Sequence, residues 1–564
     1  MPSHGSCPIS VDSHKTDLSV NFAVRVPIVR GALTVSDYVN DASAALLNRT
    51  DVLEALGAIR RPVAVVGSVH GPRAVLLDEA GVLTPEIMRQ DLLAVLPPVY
   101  PEWLGERGFT ATHRVRFPYV IGEMARGIAT AQMTVEGVRA GVMAFFGSAG
   151  LDLGSIEAGV REIQGALGRD AGGWGANLIH NVHNQRLELA TVDLFHRLGV
   201  RYVSASAFMR LTPAIVLYAV KGLRCNVSGQ IVRSGRIFAK VSRDEVARHF
   251  LSPAPQAMLR ALVAEGRITE DEARLAAGIP IAEDITAEAD SGGHTDNRAL
   301  TVLLPRLIGL RDSIAAEYRY SVLPRVGAAG GIGTPAAVAA AFAAGAAYVL
   351  TGSVNQSAVE SGLSADARSL LALAESTDVA MAPASDMFEM GVTVQVLKRG
   401  TMFAQRGQRL GDFYRRYSSF DEAPADELKN LEKSVLGRGV DEIWSETESF
   451  FSESDPEQVE RAYADPKHRM ALVFRWYLFM GSQWARDGHA ERRADYQIWC
   501  GPAMGAFNEW VRGTFLEPVE ARTVRQIALN LLEGAAAVTR AGQLRAAGVA
   551  TPASAFDFRP RPLG

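Results

Sequence analysis

Short apolar runs alternate with helical patterns along the middle of this chain, and the alternation predicts its architecture. Eight runs read as strands, at 119–122, 142–147, 176–180, 202–205, 237–241, 285–289, 325–329 and 348–352. Helical periodicity separates most of them, at 127–140, 155–167, 186–199, 213–222, 297–316 and 336–344. Alternating β and α units imply a parallel sheet with crossover helices, and eight of them imply a closed (βα)8 TIM barrel. The predicted fold class is therefore α/β.

One interval is irregular. About forty residues separate the fifth and sixth strands, roughly twice what a plain connection needs. The patterns Ser242-x-x-Glu245 and Thr269-x-x-Glu272 resemble capping boxes, each opening a helix. Residues 244–283 thus read as a helical lid inserted over the barrel mouth, the alternative being one long irregular crossover. Residues 1–112 form an N-terminal region with a hairpin around Gly67 and Gly71, and residues 113–410 form the barrel. After residue 410 the composition changes, since five of the seven tryptophans fall between Trp444 and Trp510. A helical C-terminal region is expected over 411–550, then a loose Pro-rich tail over 551–564.

Composition narrows the setting. Of the 564 residues, 48% are hydrophobic and 21% charged, as in a soluble globular protein, and the net charge is −4. With a pI near 6.3 there is no basic excess for nucleic acid. Cys7, Cys225 and Cys500 have neither disulfide nor metal spacing, so a reducing cytoplasm is the expected location. The opening MPSHGSCPIS lacks the pattern of a signal peptide. The uncharged window 334–354 reads as a buried helix turning into a strand, so no membrane partner is expected.

Candidate chemistry gathers at the strand ends, where barrel enzymes place their sites. GAAGGIGTP (327–335) and TGSVNQ (351–356) follow the seventh and eighth strands, where barrels commonly hold a phosphate on backbone N–H groups. GIGTPA also fits a relaxed dinucleotide fingerprint. A Rossmann reading needs an acid at the end of the next strand, and none occurs before Glu360. His294 follows two glycines and is the strongest candidate for stabilising or protonating a carbonyl that gains charge. Lys240 lies inside the apolar strand IFAKV, where it contacts a ligand or pairs with a carboxylate such as Glu288. Asn177 and Met124 are further ligand-contact candidates. His180 and His183 are three apart without a third ligand in metal spacing, so no metal is expected.

These segments resemble a known family. SGGHTDN, AAGGI and TGS are similar to the FMN-binding pattern of nitronate monooxygenase-like barrels and FabK-type enoyl reductases. YVIGEMARGIA, NLIHN, ASAFMRLTPAIV, MAPASDMFEMGVTVQVLKRGT and DYQIWCGPAMGAFNEWV resemble PfaD-type trans-acting enoyl reductases of polyketide and polyunsaturated fatty acid synthases. The resemblance spans about residues 60 to 545. It implies bound FMN, NADPH as reductant and a 2-enoyl thioester on an acyl carrier protein as substrate. By the same resemblance, Gly122, Met124, Ala125 and Asn177 line the isoalloxazine, Lys240 lies near it, and Ser291, Gly292 and Gly293 flank it. Ala329, Gly330, Gly331, Gly352 and Ser353 bind the FMN phosphate, and His294 is catalytic.

Glu123 and Arg126 depart from that pattern, which has a small residue and Asn there. Synthase modules are the implied partners, and relatives suggest a homodimer. Lys398 with Arg399, or Arg415 with Arg416, offers a basic docking patch for an acidic carrier, against the alternative of ordinary solvated charges. Two other readings remain open: a nitronate-oxidising flavin enzyme, and a non-catalytic synthase-docking subunit.

Overall fold

The computed structural model describes residues 50–181 and 184–564. The expectations placed on the opening decapeptide, Cys7 and His183 lie outside the described residues. Eight parallel strands close into a barrel: Tyr119–Ile121, Met143–Phe146, Trp174–Ile179, Tyr202–Ser206, Arg236–Val241, Asp284–Glu288, Arg325–Ala329 and Val349–Thr351. They are the eight runs expected. Closure is made by Val349, Leu350 and Thr351 pairing with Tyr119, Val120 and Ile121. Strands such as Met143–Phe146 are buried at every position, as a parallel sheet with helices outside and side chains inside requires.

A three-stranded antiparallel sheet precedes the barrel. Val63–Val66 pairs with Arg73–Leu76 as the expected hairpin, and Leu92–Leu96 joins its other edge. The helix Arg107–His113 then plugs the N-terminal end of the barrel. Phe109 stacks on Tyr348 with centroids 4.6 Å apart. His113 Nε2 lies 3.0 Å from Asp284, which also receives Arg325 at 2.6 and 2.9 Å. All three polar side chains are buried, so this end is sealed.

The expected lid lies elsewhere. Residues 244–283 are helical, as Asp244–Leu251, Gln256–Ala264 and Glu270–Ala276. The first of these descends the outside of the barrel. Ile281 N then donates to Ser252 O at 3.1 Å and Ala282 N to Phe250 O at 2.9 Å, so the chain leaves and returns just before the sixth strand. The excursion therefore packs at the N-terminal end, and none of its residues lines the cavity at the mouth. Of the two capping boxes, Thr269 with Glu272 forms reciprocally. Ser242 does not cap; its hydroxyl donates to Asp296, which Arg243 also grips at 2.8 and 2.9 Å.

The mouth is covered instead by the eighth loop. Helix Val524–Ala546 packs against Pro335–Ala343 on one side and Ala131–Arg139 on the other, completing the ring between the seventh and first helices. Gly534 permits this approach, since a Cβ there would sit 2.6 Å from Pro335 Cγ. The barrel thus continues beyond residue 410, and everything from the eighth strand to this helix is one long loop. That loop folds as an antiparallel pair, Val379–Pro383 with Thr393–Leu397, followed by helices that include Phe403–Arg416, Val440–Ser454 and Pro466–Asp487.

The tail is docked rather than loose. Trp510 Nε1 donates to Phe558 O at 2.7 Å, and Leu563 N to Gln526 Oε1 at 3.1 Å. Among the described residues, no helix is long and apolar enough to cross a membrane. The window 334–354 resolves into helix Pro335–Ala343 and strand Val349–Thr351.

Candidate active site

A cavity of about 580 Å³ opens at the C-terminal end of the barrel, between the strand ends and the helical cap. Along it lie Met124, Ala125, Asn177, Lys240, Ser291, Gly292, Gly293, His294, Ala329, Gly330, Gly331, Gly352 and Ser353. Gly122 is the exception among the expected residues. A Cβ there would meet Leu350 Cδ2 at 2.5 Å, so this glycine serves the contact between first and eighth strands.

The two glycine turns leave space above their backbone. Gly330 and Gly331 are left-handed, with φ of 87° and 70°. A Cβ on Gly330 would be 2.6 Å from the Ala289 carbonyl carbon, whereas one on Gly331 or Gly352 would meet nothing within 4 Å. Ser353 Oγ is fixed by the backbone N–H of Gly501, 3.1 Å away. Beside these turns, Ser291 Oγ is buried without a hydrogen-bond partner among the described residues.

The loop carrying His294 is held by Gln395, whose amide donates to Asp290 Oδ1 at 2.8 Å and to Ser291 O at 2.9 Å. Gly293 and His294 pair with Thr393–Leu397 as a short added strand. His294 Nε2 lies 3.2 Å from Asp386 Oδ1. Burial works against the imidazolium, but the Asp386 carboxylate outweighs it and raises the histidine pKa above its ordinary value.

Lys240 pairs with two carboxylates. Its Nζ is 2.8 Å from Glu288 and 3.2 Å from Glu123. Burial alone would lower its pKa; the two anions reverse that and raise it. Glu123, one of the departures noted from sequence, is thus the partner of Lys240. Asn177 donates from its amide to Ser204 O at 3.1 Å and Ser206 Oγ at 2.8 Å, tying three strand ends together with the help of Ser148. Arg126, the other departure, donates to Phe479 O and Gln483 Oε1, both at 2.7 Å, and to Ser482, which fastens the cap to the first barrel loop.

Two features escaped sequence reasoning. His180, considered only as a metal ligand, lines the cavity with its Nδ1 3.0 Å from Glu188. Phe450, Phe451, Trp476, Phe479 and Met480 form the cap side of the cavity. Their signal was present as apolar positions at i, i+3 and i+4 spacing in two helices, but that spacing also describes ordinary core. Among the described residues, no group of three His, Cys, Asp or Glu side chains is arranged to hold a metal. The basic pairs are largely neutralised: Arg399 by Glu375 at 2.8 Å and by Asp378, Arg415 by Asp412, and Arg416 by Glu427.

Comparison with solved structures decides the family. The enoyl reductase domain of MlnA, from the macrolactin biosynthesis cluster of Bacillus amyloliquefaciens, superposes with a TM-score of 0.75 and 36% identity. The match covers 79% of this chain and 99% of that domain. The chain belongs to this enoyl reductase domain family.

Other members of the same lineage are larger. A polyunsaturated fatty acid synthase component of Thraustochytrium sp. is 45% identical over 78% of this chain and 30% of its own length. Polyketide biosynthesis protein PksE of Bacillus subtilis is 44% identical over 76% of this chain and 56% of its own length. The chain therefore spans between about a third and just over half of these curated relatives. Residues 417–496, the core of the cap, match the inserted helical domain of acyl-carrier-protein S-malonyltransferases.

Proposed function

We propose that this chain is an FMN-dependent enoyl reductase. It takes electrons from NADPH and reduces the Cα=Cβ bond of 2-enoyl thioesters carried on acyl carrier protein, acting in trans for a polyketide or polyunsaturated fatty acid synthase. The observation that carries the reading is the cavity itself. Open glycine turns, a buried serine with no hydrogen-bond partner among the described residues and the His294–Asp386 pair lie at its base, and an aromatic cap lies over it. Family membership with the MlnA domain supports the reaction class, and the synthase relatives support the pathway. Likeness of the cap to the helical insert of a carrier-protein transferase supports a carrier-borne substrate.

The residues present fit FMN. Ala329, Gly330, Gly331, Gly352 and Ser353 would hold its phosphate, where a Cβ on Gly331 or Gly352 would meet nothing within 4 Å. Gly292, Gly293 and Ser291 would flank the ring, with the free Ser291 hydroxyl as a hydrogen-bond partner, and Met124, Ala125, Asn177 and Lys240 would line it. When bound, FMN relays a hydride from NADPH to Cβ of the substrate.

The protein's own residues do the rest. His294, whose imidazolium the Asp386 carboxylate favours, donates to the thioester oxygen as charge builds there. Lys240 sits between Glu123 and Glu288, so the base of the cavity is polar but fixed, with no mobile charge to reorganise. The aromatic face of Phe450, Phe451, Trp476, Phe479 and Met480 excludes water and accepts an acyl chain.

The test is direct. The purified protein should be yellow, and NADPH should bleach it anaerobically. A crotonyl–carrier conjugate supplied as a separate protein should then restore the oxidised spectrum. Failure of that last step with flavin intact would sink the reading.

A further inference from the structure

His180 is the second imidazole on the cavity wall, and nothing in the reaction described so far uses it. It directly follows the third barrel strand, Trp174–Ile179, and its side chain is 4% exposed. Glu188, in the first turn of helix Gln185–Leu198, is still more buried at 1%. The carboxylate is fully engaged. It accepts from His180 Nδ1 at 3.0 Å, from the Asn181 backbone N–H at 3.1 Å and from the Thr212 hydroxyl.

A carboxylate only accepts, so Nδ1 carries the hydrogen and the lone pair of neutral His180 is on Nε2. Phe208 stacks on the ring with centroids 5.2 Å apart, fixing its plane. Nε2 makes no hydrogen bond to any described residue. An oriented imidazole backed by a buried carboxylate, with its far nitrogen left for a ligand, is the arrangement that proton transfer requires.

Reduction of an enoyl thioester has two separate needs for such groups. Hydride adds to Cβ, the π pair moves toward the thioester oxygen, and an enolate results. A proton must then reach Cα, restoring the C=O bond and giving the saturated thioester. His294 and His180 stand on different loops, after the sixth and third strands.

We infer that His180 is the acid that delivers this proton. Protonated Nε2 gives its proton to Cα, the neutral ring keeps its Nδ1–H on Glu188, and water reprotonates it before the next turnover. His294 keeps the oxygen. Without His180, solvent protonates the enolate from either face. This inference rests on the enoyl reductase reading.

The probe is a carrier protein bearing a 2-methylcrotonyl group, whose reduction creates a stereocentre at Cα. Wild type should give one configuration. His180→Gln should still be bleached by NADPH within about twofold of wild type. It should be reoxidised on the order of 100-fold more slowly, and its product should be a mixture at Cα. A histidine that only braces the loop would alter stability but leave the configuration single.

If His180→Gln purifies without flavin, Glu188→Gln carries the test in the same direction. A single configuration from a flavin-loaded variant overturns the assignment of His180 alone. Wild-type enzyme that is bleached by NADPH yet not reoxidised by either enoyl carrier overturns the parent reading, and this one with it.

Discussion

The Arg126 guanidinium lies 3.6 Å over the ring of Phe479, joining the first barrel loop to the cap helix Pro466–Asp487. Arg126 is itself left-handed, with φ of 60°, and its three side-chain hydrogen bonds all run to that helix. The cap is therefore held to the barrel through a buried cation as well as by apolar contact.

Arg126→Ala should cost about 2–4 kcal/mol, because several charge-assisted bonds and a stacked contact disappear together. Thermal unfolding measures the loss. Limited proteolysis should cut first within the cap, and unchanged cleavage kinetics would argue against this anchoring role.

Lys240 neutralises the buried Glu123 and the half-buried Glu288, so its removal leaves the two carboxylates uncompensated. Lys240→Met should destabilise the fold by about 3–5 kcal/mol. Lys240→Met combined with Glu123→Gln should recover a good part of that. A double-mutant cycle on unfolding free energies decides the matter; strict additivity would mean the ion pair contributes nothing.

Gly352 faces open space at φ −119°, a backbone angle any residue adopts. Gly352→Val should therefore fold with near-wild-type stability yet bind FMN at least about tenfold more weakly, since its side chain would occupy the space assigned to phosphate. Titration of the purified apoprotein with FMN measures this. Wild-type affinity in the variant would remove the phosphate from this turn.

His294 and Asp386 shift in opposite directions. The histidine is raised, by Asp386 and more weakly by Glu288 against burial and Lys240; the aspartate is lowered, by His294 and more weakly by Arg475 against its own burial. The raised histidine contributes stability that is full below about pH 6.5 and is lost as pH climbs through its folded value. The lowered aspartate contributes stability present above about pH 3.9 and lost as pH falls through its folded value. The pair is thus worth most between about pH 3.9 and about pH 6.5 and fades outward through the two folded values. The side chains are 33% and 41% exposed, so solvent screening keeps the effect small. Asp386→Asn should lower the His294 pKa in an NMR titration and move the alkaline limb of the oxidative half-reaction to lower pH.

The cap side of the cavity predicts a dependence on chain length. Phe450→Ala should reduce kcat/KM for an octenoyl carrier several-fold while leaving a crotonyl carrier nearly unchanged, because only the longer chain reaches that wall. Equal losses on both would place Phe450 outside the acyl path.

By itself the sequence determined the barrel. Its eight apolar runs record burial on both faces, and burial of a parallel strand is a local property that one window displays. The glycine turns were legible as turns for the same reason, since backbone conformation and close approach select residue type at the position concerned. Tertiary structure alone decided partnership and path. Asp386 lies 92 positions from His294, and Glu188 meets His180 only through the turn of its helix. The insertion after the fifth strand went to the sealed end rather than the mouth, because its entry and exit are bonded just below the sixth strand. Closing the ring fell to Val524–Ala546, which no local pattern separates from the helices before it. An amphipathic helix states that it has a buried face, and only the packed chain states against what.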